Sequence, residues 1–279
     1  MRSFTSLITL LLIVSCKTAE ATADVNGLFN LNLGDSIDYQ KVTTKIDEEH
    51  IQYAHVVIID KLEQYEFLVS SEDEYRKKGA QSPSEFSRHH KLKLAINANY
   101  YSLDTGEPIG RVLSKGKKWA SGTLRNSRYA GYFSCSNQNS CRIGWEDEFY
   151  QTAKNYNVIS GYPVLVKNGR ALNYKNRDRH PRTAIGINKA ENKIVIVVTD
   201  GRAVDVLGGF KQVLGYTYDE LSTLFLKLGV TDALNLDGGG SSQMILGGRR
   251  VNMRRATHPK NHPDQVFNER KVPVLFGIK

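Results

Sequence analysis

The sequence predicts an α+β fold: a single domain built on a large mixed β-sheet, flanked by a few helices, with an active cavity at the strand ends. Three observations predict it. Short β-branched and apolar runs outnumber amphipathic helical stretches. Two capping boxes, Ser82-Pro83-Ser84-Glu85 and Thr217-Tyr218-Asp219-Glu220, mark helix starts between those runs. Several runs end directly in polar residues, which places chemistry at the rim of a sheet. No internal repeat or linker interrupts residues 27–279, so one domain accounts for the length.

From the N-terminus, residues 1–15 read as a signal peptide of the lipoprotein type. Arg2 supplies its positive charge, and the apolar run over 7–14 is too short for a bilayer span of roughly 20 residues. The run ends in Ser15-Cys16, which resembles a bacterial lipobox and makes Cys16 the acylated first residue of the mature chain. A plain signal peptide with an incidental cysteine is the competing reading. Residues 16–26 are a polar tether. The expected location is the bacterial cell envelope, at a membrane reached through the lipid on Cys16.

The β-branched run over 56–60 is a buried strand, with 67–70 as its partner. The first capping box opens a helix, with Pro83 at its first position, that runs to about His90. A strand over 91–96 delivers Asn97-Ala98-Asn99-Tyr100-Tyr101. Residues 102–155 are rich in turns, with hairpins around Gly116 and Gly131. Export implies an oxidising compartment, so Cys135 and Cys141 are expected to pair across a polar loop. A free thiol pair is the alternative, and C-x5-C matches no zinc spacing. A strand over 162–167 turns at Asn168-Gly169, and strands over 183–188 and 193–198 form a hairpin. The second capping box opens a helix with Leu221, Leu224, Phe225 and Leu228 on one face, stopped by Gly229. A strand over 233–237 runs into Gly238-Gly239-Gly240-Ser241-Ser242. A terminal strand over 272–278 is expected at a sheet edge because of Pro273.

With 40% hydrophobic and 24% charged residues, disorder is excluded for most of the chain, and 7 Pro with 23 Gly exclude a collagen-like fibre. The net charge of +9 favours an anionic partner.

Chemistry concentrates after four strands. Three consecutive glycines after Asp237 weaken any regular element, but they admit close approach of another molecule and can expose N–H groups to an anion. Their spacing fits neither a phosphate loop nor a dinucleotide fingerprint. Asp200-Gly201-Arg202 follows a second apolar run. Arg182 precedes a third strand, and its planar fork suits a phosphodiester. Asn97 and Asn99 end a fourth, and alternation would point both amides into one cavity. Each of these taken singly could be a turn or cap; four at strand ends point to a site. Glu220 is read as a helix cap. His258 and His262 have metal-pair spacing, but Pro259 and Pro263 argue against the helix they would need. His89-His90 is read as a solvated helix face, and Arg249-Arg250 with Arg254-Arg255 as a solvated basic loop.

Together, Ile96-Asn97-Ala98-Asn99-Tyr100-Tyr101, Arg182-Thr183-Ala184-Ile185-Gly186, Val198-Thr199-Asp200-Gly201-Arg202 and Asn235-Leu236-Asp237-Gly238-Gly239-Gly240-Ser241-Ser242 resemble the phosphodiester glycosidase family, in order, over roughly 90–279. The resemblance implies hydrolysis of a sugar joined through its anomeric oxygen to a phosphodiester. It implies Asp237, then Asp200, as the catalytic carboxylates. Asn97, Asn99, Arg182, Arg202, Asn235, Gly238, Gly239, Gly240, Ser241 and Ser242 would bind substrate. Where the family usually carries Asn-Gly-Gly-Phe-Phe, this chain has Asn97-Ala98-Asn99-Tyr100-Tyr101, so Asn99 would add a side chain at the pocket wall.

The expected protein is a monomer that binds a phosphorylated glycan or sugar-1-phosphodiester, with no cofactor, no nucleic-acid partner and no residues assigned to a metal, a divalent cation being left open. Two other functions compete with it. One is a glycan-binding lipoprotein with little or no catalysis on the same fold. The other is a metal-dependent phosphodiesterase, against which the lack of a dense His/Asp cluster argues.

Overall fold

The computed structural model describes residues 33, 35–119, 124, 128–150, 152, 154–201, 203–205, 210–253 and 269–279. Cys16, the leader and the tether lie outside them, as do Arg202, Arg254, Arg255, His258 and His262. No helix among the described residues is long and apolar enough to cross a membrane.

Three sheets enclose one core. The largest contains β1 (Ile37–Lys45), β2 (His50–Ile59), β10 (Val164–Lys167), β11 (Arg170–Ala171), β12 (Arg182–Asn188), β13 (Lys193–Thr199), β14 (Ala203–Asp205), β15 (Phe210–Val213) and β16 (Asp232–Asn235). Its order is β11-β10-β16-β12-β13-β2-β15-β14, with β1 also on β2. It is mixed: β15 runs parallel to β2, whereas β12, β13 and β16 are antiparallel neighbours. The second sheet contains β3 (Phe67–Val69), β4 (Leu94–Asn97), β17 (Met244–Leu246), β18 (Arg249–Arg250) and β19 (Leu275–Ile278), in the order β18-β17-β4-β19-β3. The third contains β5 (Leu113–Ser114), β6 (Lys117–Lys118), β7 (Gly131–Cys135), β8 (Cys141–Trp145) and β9 (Asn157–Gly161), in the order β6-β5-β9-β7-β8. Ile185 and Ile196 of the first sheet, Ile96 and Phe276 of the second, and Phe133 and Ile159 of the third meet in one buried cluster. Each such side chain contributes about 1.5–3 kcal/mol on burial.

The helices begin where the capping boxes place them. In α2 (Pro83–His90), Ser82 Oγ accepts from the Glu85 N–H at 3.2 Å and Glu85 Oε2 accepts from the Ser82 N–H at 2.8 Å. In α3 (Tyr218–Lys227), Thr217 and Glu220 make the same reciprocal pair, and Gly229 takes φ +73° after the last turn. Leu221 and Phe225 of α3 cover Ala184, Val195 and Val197 on the outer face of the large sheet. An unforeseen short helix, α1 (Glu72–Lys78), buries no residue; its Ser71 cap and its acid-to-base charge order hold it.

Three expectations are corrected. The strand at 67–70 pairs with β19 rather than with 56–60. Gly131 lies in a strand, not a turn: a Cβ there would stand 2.5 Å from Val164 Cγ2, so glycine permits close sheet contact. The terminal strand β19 is interior, between β4 and β3. Pro273 lies before it and leaves the ladder intact, while Ser70 Oγ accepts from the Leu275 N–H. Cys135 and Cys141 are disulfide-bonded across the β7–β8 hairpin.

Candidate active site

Adjacent strands β13, β12 and β16 deliver their polar residues to the same end of the large sheet. Arg182 is paired with Thr199, so Asp200 leaves β13 beside it. The Leu236 N–H donates to Thr183 O, which brings Asp237 alongside from the other flank. Alternation then separates the side chains. Arg182 shares a face with Ala184, towards α3, whereas Asp200 shares one with Val198, towards the inter-sheet core.

On the α3 side, Arg182 is only 5% exposed. Its Nε donates to Tyr216 O and its Nη2 to Asp178 O, each at 3.1 Å, and its Cζ lies 4.0 Å from the Tyr218 ring centroid. The guanidinium is therefore fixed in place rather than swinging freely in a pocket. The Tyr100 hydroxyl donates to Tyr162 O at 3.0 Å and accepts from Asn235 Nδ2 at 2.9 Å. Burial lifts Tyr100 well above the ordinary phenol range; the neighbouring Tyr218 and Asp237 push the same way and Arg182 opposes them, so these groups share one locale. Asn235 is fully buried, and its Oδ1 has no hydrogen-bond partner. Such an orphan acceptor is costly unless a ligand or solvent donor meets it.

Asp237 is partly buried, and its Oδ1 accepts from the Gly238 N–H at 2.8 Å. Desolvation raises its pKa to about 6, against the lowering effects of Ser241, the Gly238 N–H and Arg270. A carboxyl with that pKa exchanges a proton near neutrality, as general acid–base catalysis requires. The glycine run is packed tightly beside it. A Cβ on Gly238 would stand 2.8 Å from Pro181 O; Gly239 adopts φ +60°, and its N–H donates to Pro181 O at 2.8 Å.

On the other side, Asp200 faces a narrow cleft of about 10 Å³ formed with Gly239, Gly240, Ser242 and Arg250. Ser242 Oγ is buried without a partner. Asp200 is 2% exposed; Oδ1 accepts from the Met253 N–H at 2.8 Å, and Oδ2 lies 2.9 Å from His55 Nε2. His55 Nδ1 lies 2.9 Å from the Tyr39 hydroxyl. His55 thus bridges Asp200 and Tyr39 through its two ring nitrogens. Burial, then the charge of Asp200, pushes Tyr39 up to about 12.

Sequence reasoning missed His55 and Tyr39, and it read Arg249-Arg250 as a solvated loop, whereas the pair forms β18 and the half-buried Arg250 lines this cleft. The available signal was a histidine inside the β-branched run of β2.

Asn97 and Asn99 do not face one cavity. Asn97 Nδ2 donates to Asp237 O at 2.6 Å, and its Oδ1 accepts from Thr183 Oγ1 and the Gln243 N–H. Asn99 Nδ2 donates to Ile109 O and Arg111 O, while its Oδ1 accepts from the Ser160 N–H. Both amides are committed to protein, the first gripping the Asp237 backbone and the second tying down residues 109–111. Glu220 caps α3 and also meets Arg179 at 2.6 Å. The one grouping of three metal-ligand side chains among the described residues, Glu74, His89 and His90, lies on α1 and α2 and includes none of the residues above.

The sequence profile of the family described as phosphodiester glycosidase matches residues 90–279. The chain belongs to the phosphodiester glycosidase family. Among curated relatives, N-acetylglucosamine-1-phosphodiester alpha-N-acetylglucosaminidase of Bos taurus is 26% identical over 202 residues, covering 64% of this chain and 34% of the relative. An uncharacterized SPbeta prophage-derived protein of Bacillus subtilis is 38% identical over 107 residues, covering 36% of this chain and 15% of the relative. This phosphodiester glycosidase-family chain thus spans about a third or less of the length of these relatives. Among solved structures, the zebrafish N-acetylglucosamine-1-phosphodiester alpha-N-acetylglucosaminidase catalytic domain, auto-inhibited by its pro-peptide, matches with TM-score 0.63 at 20% identity, covering 87% of this chain and 81% of that one. A hypothetical protein from Synechocystis matches with TM-score 0.65 at 16% identity, covering 88% and 62%. At these identities the structural likeness establishes the fold. His55 and Tyr39 precede the segment matched by the family profile.

Proposed function

We propose that the chain is an exported, lipid-anchored hydrolase of the bacterial cell envelope that cleaves a sugar-1-phosphodiester in a glycan, releasing the sugar from the phosphate. The observation that carries this reading is Asp237. Within a site of the phosphodiester glycosidase family, its carboxyl has a pKa of about 6 and stands at the head of the glycine run, where it accepts from the Gly238 N–H. Asp237 is assigned as the proton-transferring carboxyl. Arg182 sets the positive field for the phosphodiester.

Asp200 is assigned as the second carboxylate. Held by His55 and the Met253 N–H, it faces a cleft large enough for about one water molecule, with Ser242 Oγ as a further polar contact. There it would take a proton from water as the water oxygen bonds to the anomeric carbon and the phosphate leaves, while His55, held by Tyr39, would orient the carboxylate. A phosphate is already a good leaving group, so the site needs less acid assistance than one acting on an ordinary glycoside. Asn97 and Asn99 serve as positioning residues in this scheme. No metal or cofactor is assigned a step.

Incubation with N-acetylglucosamine-1-phosphodiester, with and without chelator, tests the reading by product identification. Free sugar and a phosphomonoester are expected, unaffected by chelator. Binding without turnover would replace the hydrolase by the glycan-binding alternative, and chelator-sensitive release of phosphate with the sugar still attached would point to a phosphodiesterase.

A further inference from the structure

A cavity of about 670 Å³ opens between the N-terminus of α3 and the loop carrying Asn173, Lys175, Asn176, Arg177 and Arg179. Its volume lies within the range of roughly 300–1,000 Å³ typical of ligand sites. Its lining is polar and charged, which suits a hydrophilic ligand. It adjoins the site already described, because the Asp178 carbonyl of this loop holds Arg182 Nη2 and Tyr218 of α3 lies under the same guanidinium. Arg182 is thus bonded to this loop and also acts on Tyr100.

The loop's side chains offer donors and few acceptors. Asn173 Oδ1 is used by the Lys175 N–H at 2.9 Å, and Asn176 Oδ1 by the Asp178 N–H at 2.7 Å. This leaves amide N–H₂ groups to face a ligand. Arg179 is neutralised by Glu220 at 2.6 Å. Among the lining residues Lys175 and Arg177, both exposed, then outweigh the one other carboxylate, Asp219; the exposed Asp178 of the same loop is not part of the lining.

We infer that this cavity is a second subsite that takes a further phosphate of a polyanionic glycan, so that the preferred substrate is a sugar-phosphate chain rather than a single phosphodiester unit. The inference rests on the proposed hydrolase reading. The exposed Lys175 and Arg177 offer this cavity charged donors for a phosphate, and the same loop and helix hold Arg182, the group assigned to the phosphodiester. The subsite contributes to binding of the chain, not to bond cleavage.

The test compares a methyl sugar-1-phosphodiester with a short poly(sugar phosphate) of the same sugar, using the full chain and the double variant Lys175→Glu/Arg177→Glu. Both positions are exposed, so the variant is expected to fold, which its melting curve checks. The ratio of kcat/KM for the oligomer to that for the methyl substrate should fall about tenfold or more in the variant, through KM. The preference of the unaltered chain for the oligomer should shrink as salt rises. An unchanged ratio in the variant, or no preference for the oligomer at low salt, overturns the subsite. Oligomer binding is measured separately by calorimetry. Salt-sensitive binding that the variant loses, without hydrolysis of either compound, would keep the subsite and remove the hydrolase reading. Hydrolysis of both compounds with equal efficiency by both proteins would do the reverse.

Discussion

His55 Nε2 lies 2.9 Å from Asp200 Oδ2, with both side chains almost wholly buried in the large sheet. The relationship joins the middle of β2 to the end of β13, and Tyr39 on β1 completes it. A buried carboxylate with two donors and a histidine with a second partner form a self-consistent polar chain, and removing one member leaves the next unsatisfied.

Substituting His55→Gln is therefore expected to lower kcat by about 10² or more if Asp200 is the water-activating carboxylate, a scale typical of acid–base groups. Tyr39→Phe is milder. It removes one hydrogen bond and should cost roughly 1 kcal/mol of stability with a smaller loss of turnover. Melting curves and kcat read side by side check both. Equal activity in His55→Gln and the unaltered chain would assign the His55–Asp200 pair to folding alone.

Asp237 makes a prediction about stability with a definite sign. Its folded pKa, about 6, lies above the ordinary value of 3.8, so folding favours the protonated form. That contribution is fully present below about pH 4 and is lost as pH rises through about 6; above that, the ionised carboxylate costs up to about 3 kcal/mol. Asp237→Asn should accordingly raise Tm at pH 8 relative to the unaltered chain and change it little at pH 4. A Tm difference independent of pH would show that the raised pKa is absent.

Asn99→Gly tests whether the side chain at this position serves substrate or structure. Three hydrogen bonds to residues 109, 111 and 160 disappear, and the backbone gains freedom. A loss of roughly 2–3 kcal/mol in unfolding free energy is expected, with no widening of the substrate range. Denaturant unfolding measures the first and a substrate panel the second; undiminished stability would make Asn99 a pocket residue.

Arg182→Lys keeps the charge and loses the fork that bonds Tyr216 O and Asp178 O and the stacking on Tyr218. It is expected to lower stability by about 1–2 kcal/mol and to raise KM for phosphodiesters. A change in KM without any change in melting would mean that the guanidinium is not anchored as described.

Much of this was legible in the sequence because local chemistry agrees with the fold. The capping boxes at Ser82 and Thr217 set α2 and α3, the hairpin of β12 and β13 follows from its two apolar runs, and the polar residues after β13 and β16 do end at one rim. Strand partners were harder to read. Phe67 and Leu68 look like neighbours of β2, yet they pair with β19 some two hundred residues later, a choice made by packing between sheets. The amides of Asn97 and Asn99 also could not be assigned from alternation alone: each finds protein partners that only the crossing of the sheets brings near. His55 gave a weak signal, a polar residue in an apolar strand, whose meaning depends on Asp200 lying one strand away.

The central claim is that Asp237 transfers the proton in cleavage of a sugar-1-phosphodiester. The pH dependence of kcat/KM for release of free sugar, measured from pH 4 to pH 8 on the unaltered chain and on Asp237→Asn, tests it most directly. The account predicts an ionisation near pH 6 in the unaltered chain, and a residual activity in Asp237→Asn, lower by about 10² or more, from which that ionisation is gone. The same inflection persisting in Asp237→Asn, or no release of free sugar by the unaltered chain at any pH, would contradict it.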